Sequence, residues 1–96
     1  MAVALPERLP PTYHARAGIL MTDLGDELVL VDAQSGHSYR VNATARQLWL
    51  SLPSTAEAAA RLLVRAFEID GPSALEDAGR WLDELEALGL VQRQAE

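Results

Sequence analysis

The side chains most able to do chemistry are two histidines and a run of acids near the end of the chain. His14 and His37 lie in different predicted elements, without the spacing of metal ligands or of a catalytic pair. The chain has no cysteine, which excludes a disulfide, a thiolate zinc site, iron–sulfur ligation and a cysteine nucleophile. The acids surround one arginine, Arg80, as on a solvated helix face: Glu76, Asp77, Asp83, Glu84 and Glu86. The sequence therefore predicts no catalytic site, no metal site and no cofactor, and we expect a protein that is not an enzyme.

Composition narrows the possible partners. The 96 residues are 49% hydrophobic, enough for one globular domain. The net charge is −6, and residues 51–96 alone hold four arginines against nine acids. Such a chain gains little from phosphate contacts, which argues against nucleic acid as a partner. No apolar run is long enough for a signal or a membrane span, so we expect a cytoplasmic protein with no membrane partner.

Three strands are predicted in the first half of the chain. Residues 1–15 contain three prolines and no periodicity, which indicates an extended arm ahead of a domain over residues 16–93. The segments "AGILMTDL", "ELVLVD" and "HSYRV" read as strands separated by short turns, at residues 17–24, 27–32 and 37–41. Short connections favour an antiparallel meander, in which the first and third strands form the two edges.

Three helices are predicted in the second half. Asn42 suits the N-cap of a first helix that ends at Pro53. Ser54 and Glu57 fit a capping box for a second helix, over residues 54–67, and Ser73 and Glu76 fit one for a third, over residues 73–88. Gly89 suits the C-terminal cap. The predicted fold is therefore α+β and winged-helix-like, with a three-stranded antiparallel sheet followed by three helices.

The third strand has the properties of an edge to which a peptide can add. Residues 37–41 contain no proline and a single charge, Arg40, although edges are usually protected. A few ladder hydrogen bonds, worth roughly 0.5–1.5 kcal/mol each, fall short of the free energy of a micromolar complex, about 8 kcal/mol. Side chains of the guest must therefore enter pockets, and the third helix is the expected wall of such a cleft.

The stretch "LVLVDAQSGHSYRVNATARQLWLSL" resembles the PqqD-like peptide chaperones, also called RiPP recognition elements. The matching positions are Asp32, Gly36, Tyr39, Asn42 and Trp49, and the closing "WLDELEALGLV" is similar to the last helix of that family. The resemblance spans about residues 17–91. Within the family, the "VNATA" junction looks most like that of the stand-alone leader-binding proteins of lasso-peptide biosynthesis. Val41 departs from the pattern, which has leucine there, and "LPST" replaces the usual turn after the first helix.

The resemblance implies a non-catalytic chaperone that binds the leader of a ribosomal precursor peptide. The leader would add as a strand to residues 37–41 against helix 73–88. It would then be presented to a transglutaminase-like leader peptidase and on to a macrolactam-forming cyclase. The expected peptide-binding residues are His37, Ser38, Tyr39, Arg40, Val41, Leu75, Ala78, Trp81, Leu82 and Leu85.

The same residues and the same fold also fit other roles. Tyr39, Val41, Trp81, Leu82 and Leu85 could serve core packing alone, and Trp49 and Asn42 are expected in the core and at a cap. Delivery to a radical or other tailoring enzyme is an alternative function from the same fold. A winged-helix DNA-binding regulator is an alternative from another class, and dimerisation through the edge strand is a third.

Overall fold

The protein is an α+β domain in the computed structural model, which describes residues 11–94. Its elements in chain order are β1 (Thr12–Ala15), β2 (Ile19–Asp23), β3 (Leu28–Asp32), β4 (Ser38–Val41), α1 (Ala43–Leu50), α2 (Ala56–Phe67), α3 (Gly71–Ala87) and β5 (Val91–Gln94). The strands β2, β3 and β4 and the three helices are those predicted from the sequence. The predicted fold class, an antiparallel sheet followed by three helices, is confirmed.

The three central strands form an antiparallel meander in the order β2-β3-β4. On β3, Leu28 and Leu30 are fully buried and alternate with partly exposed residues, so one face of the sheet packs on the core. The turn into β4 is built by Asp32, whose carboxylate accepts hydrogen bonds from the backbone N–H groups of Gln34 (2.9 Å) and Ser35 (3.4 Å). The bond from Gln34 is the main reason that the pKa of Asp32 is lowered. Gly36 completes the turn with a φ of 80°, a conformation that favours glycine.

The helix caps agree with the sequence at α1 and differ at α2 and α3. Asn42 caps α1 as predicted, accepting from the N–H of Ala45 (2.9 Å). At α2 the cap is Thr55, not Ser54, because Ser54 is buried and its backbone exchanges hydrogen bonds with Tyr13 (2.7 and 3.0 Å). Helix α3 begins at Gly71, earlier than the predicted start near Ser73.

The early start of α3 has a local cause. The carboxylate of Asp70 accepts from the N–H of Ser73 (3.0 Å), so Asp70 takes the capping role that the sequence assigned to Ser73. Pro72 lies in the first turn of the helix, where its missing N–H costs no intrahelical bond. The predicted cap at the other end is confirmed: Gly89 has a φ of 77°, and the N–H of Leu90 donates to the Leu85 carbonyl (2.9 Å).

Strands β1 and β5 form a second, two-stranded antiparallel sheet that the sequence did not predict. Residues 1–10 of the predicted arm lie outside the described residues, whereas Thr12–Ala15 form β1, paired in register with Val91–Gln94. Tyr13 is only 5% exposed and belongs to the core, and this burial raises its pKa. The guanidinium of Arg93 lies 5.9 Å from the centre of the Tyr13 ring.

The core has two parts, with α3 contributing to both. One joins the sheet to Trp49, Leu82 and Leu85, and the other joins Leu48 to the small residues of the α2–α3 contact. Those small residues are Ala59, Ala60, Ala74 and Ala78. Trp49 is therefore a core residue, as predicted. Trp81 is partly buried and packs against both parts.

Candidate functional site

The outer edge of β4 is unpaired among residues 11–94, since β4 has β3 as its one neighbour there. The carbonyl of His37 accepts from the N–H of Asp32 (2.9 Å), and the register continues with Tyr39 opposite Leu30. In an antiparallel ladder, hydrogen-bonded pairs alternate with non-bonded pairs. The carbonyl of His37 and the main-chain groups of Tyr39 and Val41 therefore point to β3, and the main-chain groups of Ser38 and Arg40 point outward. The edge offers two N–H donors and two carbonyl acceptors to a further strand.

The side chains of β4 divide in the same alternating way. Tyr39 and Val41 are partly buried and pack against the core, whereas Ser38 and Arg40 are exposed. The outward-facing main chain thus belongs to the residues whose side chains point to solvent. A strand added at this edge would place every second side chain on the same face of the sheet as Tyr39 and Val41.

A cavity of about 450 Å³ lies on that face, beside the β4 edge. We call it the cleft. One wall is the junction between β4 and α1, and the opposite wall is α3. The cleft residues are Tyr39, Arg40, Val41, Asn42, Thr44, Ala45, Leu48, Leu63, Ile69, Asp77, Arg80, Trp81, Glu84, Leu85, Leu88 and Leu90.

The cleft combines apolar and charged side chains. Asp77, Trp81, Glu84 and Leu88 recur at intervals of three and four residues, so they share one face of α3. Trp81 is half-buried, and Leu88 is 51% exposed at the surface of the cleft. Such apolar surface beside an open strand edge suits the side chains of a bound peptide.

Four charged residues line the cleft, and most of them already have partners. Arg40 donates to Glu27 (2.7 Å), and Arg80 donates to Asp77 one turn earlier on α3. Glu84 makes no salt bridge within the described part of the chain. The two arginines balance the two acids, so the lining is close to neutral although the chain as a whole is acidic.

The β2–β3 hairpin is fastened to α1 by an ion pair with two hydrogen bonds. Arg46 Nε and Nη2 donate to the two carboxylate oxygens of Asp23, each at 2.8 Å. The bond from Arg46 is the main reason that the pKa of Asp23 falls from 3.8 to about 2. This pair holds the sheet against the helix that begins the cleft wall.

The structure brings five of the ten expected peptide-binding residues together in the cleft: Tyr39, Arg40, Val41, Trp81 and Leu85. Ser38 lies on the same open edge, directly after His37. Ala78 and Leu82 lie on the face of α3 that is fully buried in the core. They support this wall of the cleft but are not exposed to a ligand. Leu75 does not line the cleft, and it lies in a separate groove between α2 and α3.

The sequence prediction omitted the part of the cleft that comes from α1 and α2. Thr44, Ala45 and Leu48 line it from α1, and Leu63 and Ile69 line it from α2 and the turn that follows. Helical periodicity shows which residues share a face, but it does not show how two helices cross. Leu88 could have been found, because it lies on the same flank of α3 as Trp81.

Neither a metal centre nor a membrane span is found in the described residues. No three side chains among His, Asp and Glu at residues 11–94 are grouped so that they could hold a metal ion. None of the helices in that range has both the length and the apolar composition needed to cross a bilayer.

The fold and the cleft define a winged-helix-like domain with an accessible sheet edge beside an apolar wall. The family model for Coenzyme PQQ synthesis protein D (PqqD) matches residues 27–91. The chain therefore belongs to the PqqD family, as its sequence resemblance predicted. A sequence search of the curated proteins finds no significant match.

Two solved structures share the fold. One is TbiB1 in complex with the TbiA(beta) leader peptide, with a TM-score of 0.77 and 20% identity, covering 82% of this chain and 94% of that chain. The other is a lasso peptide synthetase B1 complexed with the leader peptide, with a TM-score of 0.75 and 22% identity, covering 83% and 96%. The chain is thus similar over nearly the whole of both proteins.

Proposed function

We propose that this chain is a non-catalytic chaperone that binds the leader of a ribosomal precursor peptide as an added strand on β4. The observation that carries the proposal is the geometry of the β4 edge. The main-chain groups of Ser38 and Arg40 face outward, directly beside an apolar cleft walled by α3. Membership of the PqqD family supports it, as do two proteins of the same fold that were solved with leader peptides.

The energetics require both the edge and the cleft. Four hydrogen bonds to Ser38 and Arg40 contribute together about 2–6 kcal/mol. A micromolar complex needs about 8 kcal/mol, and more once the ordering of the peptide is included. Burying one or two apolar side chains of the guest, at roughly 1.5–3 kcal/mol each, provides the difference. The leader should therefore carry apolar residues two positions apart, so that both enter the cleft.

The enzyme that would receive the leader is proposed from the solved proteins of the same fold, one of which is a lasso peptide synthetase B1. In a lasso-peptide pathway the chaperone would act in the cytoplasm and present the leader to a transglutaminase-like peptidase, followed by a macrolactam-forming cyclase. Delivery to a radical or other tailoring enzyme is the second candidate, and it is kept because the family is named for coenzyme PQQ synthesis and not for lasso peptides. Testing the purified enzymes in turn against the loaded chaperone discriminates the two, because only the true recipient binds or modifies the precursor.

A DNA-binding role is opposed by the charges of α3. Between Gly71 and Ala87 the helix has five acids and one arginine, and that arginine, Arg80, is paired with Asp77. A recognition helix instead presents arginine, lysine, asparagine or glutamine to phosphates and bases. A titration with duplex DNA at several salt concentrations should therefore give no tight, salt-dependent binding.

The proposal is tested by NMR, in which isotope-labelled protein is titrated with a synthetic precursor leader. We expect the largest shifts at Ser38–Val41 and at Trp81 and Leu88. A leader of the same composition in scrambled order is the control. Absence of shifts at β4, or shifts confined to the far side of α3, would show that the peptide docks elsewhere.

A further inference from the structure

A second groove lies between α2 and α3, away from the cleft. It has a volume of about 440 Å³ and is lined by Glu57, Ala60, Arg61, Val64, Arg65, Gly71 and Leu75. We call it the α2–α3 groove. It shares no lining residue with the cleft. Leu75 and Trp81 are six residues apart on α3, which places them roughly 120° apart around the helix axis. A ligand in the cleft therefore leaves the α2–α3 groove accessible.

The α2–α3 groove has an exposed apolar centre. Leu75 is 47% exposed and Val64 is 38% exposed, and the buried Ala60 lies between the helices beneath them. Apolar side chains that line a concave surface together mark an interaction site more often than single exposed ones do. A groove between two packed helices accepts the apolar face of a third helix, whose anchors recur every three or four residues.

The charges beside the groove indicate the chemistry of its partner. Arg61 and Arg65 are exposed, lie one turn apart on α2 and form no salt bridge with any described residue. Arg40, Arg46, Arg80 and Arg93 are all paired with acids. The groove lining holds these two arginines against one acid, Glu57, which forms no salt bridge with either of them, so two like charges one turn apart repel each other. The carboxylates of an acidic partner would pair with both arginines.

We infer that the α2–α3 groove is the docking surface for the enzyme that receives the leader, and that it binds an amphipathic helix with acidic side chains on that enzyme. The inference rests on the proposed function, because a chaperone that presents a peptide must hold the peptide and the enzyme at once. The enzyme's apolar anchors would contact Val64 and Leu75, and its carboxylates would pair with Arg61 and Arg65.

The test measures two affinities for each variant. The protein loaded with leader is titrated with the purified transglutaminase-like leader peptidase, and the free protein is titrated with the leader alone. Arg65→Glu and Leu75→Asp should weaken binding of the peptidase by roughly tenfold or more and leave the leader affinity unchanged. Both sites are exposed, so the variants should fold, which thermal unfolding checks. Arg16→Glu is the matched control, since Arg16 is also exposed and unpaired among the described residues but lies outside the groove.

Each outcome of the test decides the inference. Peptidase binding that weakens at high salt in the wild type, and loses this dependence in Arg65→Glu, supports the acidic partner. Peptidase binding that no groove variant alters, or absence of peptidase binding by the loaded wild type, would overturn the assignment of the groove while leaving leader recognition intact. Loss of leader affinity in Leu75→Asp would assign the groove to the leader instead. A groove variant that changes only self-association in sedimentation would assign it to a second copy of the chain. Absence of leader binding in the wild type would refute the proposed function itself.

Discussion

Replacing Ser38 with proline should weaken strand addition at the β4 edge without unfolding the domain. The N–H of Ser38 faces outward, so proline removes a donor that a guest strand needs but that β3 does not use. Proline is tolerated on an edge strand when its nitrogen faces away from the sheet.

The expected loss of leader affinity follows from the leader carbonyl that loses its hydrogen-bond donor. In the Ser38→Pro complex, one carbonyl of the leader would be left unpaired against the protein, at a cost of about 1–3 kcal/mol. This corresponds to a roughly 5- to 150-fold weaker complex. Steric contact between the proline ring and the guest strand moves the result toward the upper end of that range.

The assay is calorimetric titration of the leader into Ser38→Pro and into Ser38→Ala, which retains the N–H and serves as the matched control. Thermal unfolding of both variants checks the fold. Proline at position 39 should instead lower the thermal unfolding temperature, because the N–H of Tyr39 faces β3 and its loss destabilises the sheet. Equal leader affinity in a folded Ser38→Pro and in Ser38→Ala would refute strand addition at β4.

Three further changes test other parts of the structure. Trp81→Ala should weaken leader binding by roughly tenfold and abolish any leader-induced change in tryptophan fluorescence, since Trp49 is buried in the core. Glu68 ends α2 with a left-handed φ of 55°, so Glu68→Gly should raise the free energy of unfolding by about 1 kcal/mol in denaturant titrations, whereas Glu68→Ala should not. Asp23 has a pKa of about 2 in the folded chain and 3.8 as its ordinary value, so its stabilising contribution is present above pH 3.8 and is lost as the pH falls toward 2. Asp23→Asn should remove that part of the acid dependence in thermal unfolding scans, and an unchanged acid limb would contradict the role of the Arg46 pair.

The parts of the fold that sequence could predict are those set by neighbouring residues. The β2–β3–β4 meander follows from alternation and short turns, and the caps at Asn42 and Gly89 depend on residues within one helical turn. The capping box at Ser54 failed because Tyr13, far away in the chain, engages its backbone. The β1–β5 pairing could not be predicted for a similar reason: each strand has four residues, and "VQRQ" gives no apolar alternation to mark it.

In the candidate site too, the features set by neighbouring residues could be predicted, and those set by tertiary packing could not. The open edge at residues 37–41 depends only on strand order, which short connections between neighbouring strands predict. Assigning Leu75 to the cleft was inconsistent with the helical period, which places it on the flank of α3 opposite Trp81. The contribution of Thr44, Ala45 and Leu48 depends on how α1 meets α3, and that crossing is a property of tertiary packing.

The small sheet of β1 and β5 has a consequence for protein engineering. Thr12 lies directly opposite Gln94, so the described chain enters and leaves the domain at neighbouring points, roughly 5 Å apart. Domains whose ends meet in this way tolerate insertion into a surface loop of a host protein. Residues 12–94 could accordingly be inserted into a surface loop of a carrier protein without stretching either strand.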